Sequence, residues 1–358
     1  MKRACFFGIY DRDYCRNAVI ARGLESDGYS IVHCNVNPRL HKGIGKYLLL
    51  IRERVKLRNY RFDFVFVAFP GYTCVLLARI LFPKTLLVFD VALSIRAANV
   101  EDRKLYGPMS PRGLRDFFLD WHSIRCADIV VLDSLEHIKV FGKRYGLPPG
   151  KTVRVLTGSA VNAADFSRIR PPKDRFIVHF HGSFLPQHGI RYVLQAARIL
   201  QDEKEVKFRL IGGGQSQKEM VRLAADMGLA NVAFTGRLPE FSQVLEELAG
   251  SHVSLGLFGE VERAQWVIVN KVVEAAAFGK AVITEKAPAM DEVFTDGKDV
   301  LLCEAADADD LAEKILKLKN DRGLLEKLGH NAKVLFDEKL RPEKVIVPLS
   351  ERINSWKA

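Results

Sequence analysis

The chain reads as an α/β protein of two doubly wound, Rossmann-like domains facing across a cleft. Three observations predict this. At 358 residues, 48% hydrophobic and 27% charged, it is long enough for two cores. Apolar runs rich in β-branched and aromatic residues alternate with segments long enough for crossover helices, the rhythm of a parallel sheet. That rhythm stops at RIRPPKDRF, positions 168–176, where a double proline marks a linker, and then restarts.

In the first half the expected strands are CFFGI, YSIVHCNV, FDFVFVAF, TLLVFDVA, DIVVLD and VRVLTG. The opening MKRACFFGIYDRD has only a very short apolar run before charge returns, so it reads as the first strand rather than a signal peptide. The most apolar stretch, 64–83, is split by Pro70-Gly71 and Arg79 into a buried strand and a helix shorter than a bilayer span. After the linker come FIVHFHG, a helix at IRYVLQAARIL, FRLIGG, a helix at QKEMVRLAADMG, and the strands VAFTG, HVSLGLF and AVIT. No short-period repeat or low-complexity segment interrupts the pattern. The domains are expected at 1–170 and 171–335, followed by a C-terminal segment, 336–358.

The six cysteines are scattered, with no C-x-x-C pair and no His/Cys cluster at ligand spacing, which favours a reducing compartment and no structural zinc. Net charge is +11, and it is uneven. Residues 1–175 carry 30 Lys and Arg against 16 Asp and Glu, a balance of +14. The remaining 24 and 27 give the rest −3. The first half therefore faces something anionic.

Ligands of open parallel sheets gather where strand ends lead into helix N-termini. Three glycine turns stand at such places: Gly8, Gly182-Ser183 and Gly212-Gly213-Gly214. None belongs to a G-x-G-x-x-G or a G-x-x-x-x-G-K-[ST] motif. More informative is VIVNKVVEAAAFGKAVIT at 267–284, where a lysine and a glutamate lie in an apolar run. Asn270 is placed to cap a helix that stops at Gly279. Lys271 in its first turn opposes the helix dipole unless an anion binds there. Glu274, one turn on, needs strong partners such as a ribose diol. The alternative is a Lys/Glu pair snorkelling at a helix edge.

From about position 178 to 335 the chain resembles the donor-binding half of retaining glycosyltransferases of family 4, which have the GT-B fold. The matching pieces are HFHGSFLPQHGIRYVLQAARIL, FRLIGGGQ, ANVAFTGRLP, NKVVEAAAFGKAVIT and DEVFTDGKDVLLCEAADADDLAEKI, in the family's order and spacing. In the first half, CADIVVLDSLEHIKVFGKRYGLPPGKTVRVL resembles the end of the acceptor domain, and the resemblance implies that 336–358 returns as a helix onto the first domain. The resemblance implies retaining transfer from a nucleotide sugar to a glycan or lipid-linked acceptor in cell-envelope or polysaccharide biosynthesis. Glu274 matches the second glutamate of the E-x7-E signature, which binds the donor ribose. Asn270-Lys271 matches a variant that puts Lys271 at the diphosphate. The turn Gly236, Arg237, Leu238 matches the one beside the nucleobase.

The chain also departs from the family's pattern. Trp266 stands where the signature has its first glutamate, with Glu260 and Glu262 nearby as substitutes. Where relatives read G-R-x-x-x-x-K-G, this chain has GSFLPQHG, with Ser183 and His188 in place of the two cations. Lys271 and Arg263 are the expected replacements for a leaving diphosphate, with His188 supplying a hydrogen bond or, if protonated, a charge. No metal or other cofactor is expected: Asp307-x-Asp309 opens a helix, where aspartates cap, and Asp11-x-Asp13 is a weaker case for the same reading. In the acceptor half, LVFDVALS places Asp90 and Ser94 on a loop toward the cleft, and Asp90 is the expected catalytic residue there. Its alternative is a turn or cap residue.

Positions 39–61 hold eight Lys and Arg against one Glu, interleaved with Tyr47, Leu48, Leu49, Ile51, Val55 and Leu57. Such a segment suits peripheral contact with an anionic membrane from the cytoplasmic side, or a solvated helix covering the sheet. Nucleic acid is disfavoured, with few aromatics set for base stacking and no helix-turn-helix or zinc module. Two other readings remain: a sugar-nucleotide epimerase or hydrolase on the same architecture, and a non-catalytic nucleotide-sugar-binding scaffold.

Overall fold

The computed structural model describes residues 2–238 and 240–357, and the chain divides into two compact units. The first comprises residues 1–100, 104–160 and 340–358. Its sheet contains β1 (Lys2–Ile9), β2 (Tyr29–Val36), β3 (Phe64–Val67), β4 (Leu86–Asp90), β5 (Ile129–Leu132) and β6 (Thr152–Arg154), all parallel, in the order β2-β1-β3-β4-β5-β6. Alternation along the strands divides the apolar side chains between two cores. Cys5, Phe7, Val65, Val67, Leu87 and Phe89 pack on one face. Phe6, Phe66 and Val88 pack on the other, against Val345, Ile346, Leu349 and Ile353 of the C-terminal helices. The last segment thus closes the first unit's core. Gly23 permits the contact, since a Cβ there would lie 2.6 Å from the carbonyl oxygen of Pro342.

The second unit comprises 101–103 and 161–339. Its parallel sheet contains β7 (Phe176–Ser183), β8 (Val206–Gly213), β9 (Val232–Gly236), β10 (Val253–Leu255), β11 (Ala281–Glu285) and β12 (Leu301–Cys303), ordered β12-β11-β10-β7-β8-β9. Val178, Phe180, Phe208 and Leu210 build one face of the core with the helices Ile190–Ile199 and Ala308–Asn320. On the short helix Asn270–Ala277 every residue from Lys271 onward is buried.

The division falls at 160/161, ten residues before the expected 170/171. The turn Ala163–Phe166 belongs with the second unit, where Phe166 meets Phe278 with ring centres 5.4 Å apart. The return to the first unit comes at Leu340, later than the expected 336, and residues 101–103 lie with the second unit through Asp102. Strand β12, three residues long, was not among the strands expected from the sequence. Among the described residues no helix is long and apolar enough to cross a membrane.

Candidate functional site

In the second unit the strand order reverses between β7 and β10. From β7 the chain moves outward to β8, and from β10 it moves the other way to β11, so loops part above these two strand ends. Such a crevice is where open α/β sheets bind ligands. The helix Asn270–Ala277 starts on the β10 side of it, and the glycine turns end β7, β8 and β9.

Those turns are glycine by steric necessity. Gly182 has φ +142° and Gly212 φ +135°, and a Cβ on Gly212 would lie 1.8 Å from the carbonyl oxygen of Gly182. No other residue fits at Gly212 without parting the two strands. Gly213 is buried, with Gln217 and the stem of Arg237 close by, while Arg237 itself is exposed and Gly236 (φ +71°) and Leu238 are half-buried at the β9 turn. Ser183 is exposed at the end of β7.

Lys271 is 5% exposed, and its Nζ has no hydrogen-bond partner. The ammonium lies 3.7 Å from the centre of the Phe180 ring and 3.1 Å from where a Cβ on Gly182 would stand. Burial holds its pKa well below that of an ordinary lysine, with Glu274 acting in the opposite direction. No side chain caps this helix end, and of its first amides that of Val272 donates to the Val269 carbonyl at 3.1 Å. Asn270 is the first helical residue and Val269 the N-cap, which corrects the expected capping role of Asn270. Gly279, φ +62°, follows the helix as the expected stop.

Glu274 is 4% exposed and belongs to a buried chain. Its Oε2 accepts from His181 Nε2 at 2.9 Å, and His181 Nδ1 lies 2.9 Å from His179 Nε2. A carboxylate can only accept, so His181 donates through Nε2, and in a neutral His181 the Nδ1 then accepts from His179. Burial, with His181 next, lowers the pKa of His179, whose Nδ1 has no partner. Sequence reasoning missed both histidines. Their signal was the alternation in HFH, which puts 179 and 181 on one face of a strand.

His188 is buried. Its Nδ1 donates to the Ser183 carbonyl, and burial followed by the nearness of Lys271 drives its pKa well down. A protonated His188 is therefore disfavoured, and a hydrogen bond is what it can offer. Arg263 is also buried, and its guanidinium forms a 2.7 Å ion pair with Asp102, whose other oxygen accepts from the Gln187 amide. Its charge is thereby matched within the fold. Trp266 is 2% exposed and packs in the core. Glu285, at the end of β11, was unforeseen: both its oxygens are buried without partners, and burial pushes its pKa up to about 8.

In the first unit Asp90 is fully buried at the end of β4. Arg16 reaches both of its oxygens, the shortest contact being 3.0 Å, and also donates to the carbonyls of Val155 and Leu156. Ser94 is buried and donates to Asp120 at 2.7 Å. Gly8 is buried near the end of β1 with φ +141°. Asp307 caps the helix Ala308–Asn320 through the Asp310 amide, and Asp11 accepts from the Asp13 amide and pairs with Arg39. The largest cavity described in the second unit, about 660 Å³, is lined by Gln195, Arg198, Glu260 and 304–309, and none of the glycine turns borders it.

Two doubly wound domains with these sheet orders define the GT-B fold. The crystal structure of Anabaena HepE in complex with UDP superposes with a TM-score of 0.70 at 16% identity, covering 99% of this chain and 100% of that one. Residues 162–335 match the family described as glycosyl transferases group 1. An uncharacterized glycosyltransferase of Methanocaldococcus jannaschii, MJ1178, is 30% identical over 168 residues, 47% of this chain and 45% of that protein. The lipopolysaccharide core biosynthesis glycosyltransferase LpsD of Rhizobium meliloti is 25% identical over 178 residues, 46% of this chain and 49% of its own. The chain spans about half the length of the curated relatives it matches.

Proposed function

We propose that this chain transfers a sugar, with retention of configuration, from a nucleotide sugar to a glycan or lipid-linked acceptor in cell-envelope or polysaccharide biosynthesis. The observation that carries the reading is the pairing of Lys271 with Glu274 on one helical turn at the strand-order reversal. One is an unpartnered buried cation beside glycine turns, and the other is a carboxylate with Oε2 engaged and no hydrogen bond to Oε1. A diphosphate would complete the first and a ribose hydroxyl the second. The base then lies along the Gly236, Arg237 and Leu238 turn, with Gly182, Ser183, Gly212 and Gly213 giving the phosphates close access to backbone. The match of residues 162–335 to the group 1 family and the UDP held by HepE support this assignment.

In the reaction the bond from the anomeric carbon to the phosphate oxygen breaks, and a bond to the acceptor oxygen forms on the same face of the sugar. The acceptor proton passes to the departing diphosphate, and Lys271 with the helix amides meets the growing charge there. No metal ion takes part in this proposal.

Calorimetric titration with UDP, GDP, ADP and their sugar conjugates, with and without magnesium, tests it. One preferred nucleotide, weakened by Lys271→Ala and Glu274→Gln and bound equally without magnesium, is the expected result. Binding to none would end the donor-site reading. Hydrolysis without acceptor would point to the epimerase or hydrolase class, and tight binding without turnover to a scaffold.

The acceptor side of the reading rests on the first unit. A polar cavity of about 390 Å³, lined by Asp11, Arg12, Asn35, Asn37 and Glu53 among others, adjoins one of about 490 Å³ lined by Lys42, Lys46, Leu48 and Arg52 among others. The two share Leu40, His41 and Leu49. Hydroxyl-binding groups thus meet a cationic, apolar surface, as an acceptor with a saccharide head and an anionic lipid anchor requires. In this reading the protein works at the cytoplasmic face of the membrane through 39–61.

A further inference from the structure

Lysine and glutamate three residues apart on a helix ordinarily pair with each other. Lys271 and Glu274 form no such salt bridge, although both are buried and adjacent. The ammonium rests on Phe180, and the carboxylate is drawn to His181, which lies on the strand beneath. We infer that His181, oriented by His179, is a positioning residue that holds Glu274 away from Lys271 and presents its Oε1 to a ribose hydroxyl of the donor nucleotide.

Three features support the inference. His181 Nε2 and Glu274 Oε2 are 2.9 Å apart in a buried setting, where a hydrogen bond to a carboxylate is strong. With His181 neutral, donation along the chain runs one way: His179 gives to His181, and His181 gives to Glu274. It ends on the buried, unpartnered Nδ1 of His179, which as a lone pair costs less than an orphaned N–H. Glu274 is therefore clamped through one oxygen only. Without His181 the nearest strong partner for the carboxylate is Lys271, and an ion pair between them would withdraw the diphosphate cation and the ribose acceptor together.

The inference rests on the proposal that Glu274 binds ribose, and the experiment separates the two. UDP, GDP and ADP, each beside its 2′,3′-dideoxy counterpart, are titrated into the wild-type protein and the variants Glu274→Gln, His181→Phe and His181→Gln. The readout is the ratio of ribo to dideoxy affinity for the nucleotide that binds best. The wild-type protein should favour the ribonucleotide about tenfold, the value of roughly one charge-assisted hydrogen bond. Glu274→Gln and His181→Phe should both bring the ratio near unity. His181→Gln, whose amide reaches the Nε2 position, should restore most of it. If Glu274→Gln keeps the wild-type ratio, the ribose reading itself fails. A ratio lost in Glu274→Gln but kept in His181→Phe overturns the positioning role alone, and so does His181→Gln behaving no better than His181→Phe. Should His181→Phe not fold, His181→Asn, too short to reach Glu274, takes its place with the same expectation.

Discussion

The ammonium of Lys271 sits 3.7 Å from the centre of the Phe180 ring, with no hydrogen bond and no salt bridge to Glu274 one turn away. A ring face offsets part of the cost of burying a cation, yet burial still holds this lysine well below its ordinary pKa. A bound diphosphate would supply the missing charge and raise it again.

Nucleotide binding should therefore be coupled to proton uptake. Where the free protein has lost the Lys271 proton and the complex keeps it, binding takes up a proton and affinity falls as pH rises; below the pKa of the free protein the dependence vanishes. Calorimetry in buffers of different ionisation enthalpy reads the uptake directly. Lys271→Ala should weaken nucleoside diphosphate binding about tenfold or more and flatten the pH dependence. Equal proton uptake in that variant would assign the titration to another group.

Glu285 gives a stability prediction with a definite sign. Its carboxyl has no hydrogen-bond partner, and burial raises its pKa to about 8 from the 4.5 of an exposed glutamate. Between these values the folded chain holds a proton that the unfolded chain has released, so this residue makes the protein less stable as pH rises from about 4.5 to 8, with no further change above. Glu285→Gln should stabilise the protein by about 2 kcal/mol at pH 8, since each tenfold change in proton affinity corresponds to about 1.4 kcal/mol and relaxation reduces the full effect. At pH 4.5 it should change little. Urea denaturation of both proteins at the two pH values measures the difference.

Much of this architecture was legible beforehand, for a physical reason. Strands buried on both faces, such as β1, β3, β4, β5 and β11, read as continuous apolar runs. Lys271 and Glu274 stood out because charges in an apolar helical run need partners. Their partners stayed hidden. Asp102 meets Arg263 across 161 positions and His181 meets Glu274 across 93, distances over which no pattern in a single chain operates. The burial of His188, which disfavours the protonated form, was hidden because the sequence does not show that the turn folds inward over it.

Asp90 was expected to serve the chemistry, and its environment leads to a different measurement. Arg16 holds it at 3.0 Å with both side chains almost wholly buried, and burial outweighs that pairing to raise the Asp90 pKa. Asp90→Asn would leave a buried guanidinium without its counter-charge, a loss of about 3 kcal/mol or more. The expected outcome is a marked fall in the denaturation midpoint with nucleotide affinity unchanged, read by urea titration beside calorimetry. Unaltered stability with turnover abolished would return Asp90 to a role in transfer.

The segment 39–61 allows the acceptor proposal to be tested without knowing the acceptor. Leu40, Ile44 and Leu48 are 76%, 82% and 68% exposed, whereas Leu50 on the helix Gly45–Lys56 is fully buried against the sheet. One face of the helix is thus spent on the core, and the apolar residues left outside stand among Arg39, Lys42, Lys46 and Arg52. Each basic side chain near an anionic bilayer contributes about 1 kcal/mol, and salt screens the effect. The protein should sediment with vesicles containing phosphatidylglycerol but not with phosphatidylcholine vesicles, and about 0.5 M salt should release much of it. Replacing Ile44 and Leu48 by serine should weaken binding at low salt without lowering thermal stability, because neither side chain packs in the core. Sedimentation with neither vesicle would make this a solvated helix that only covers the sheet, and the acceptor would then have to be met in solution.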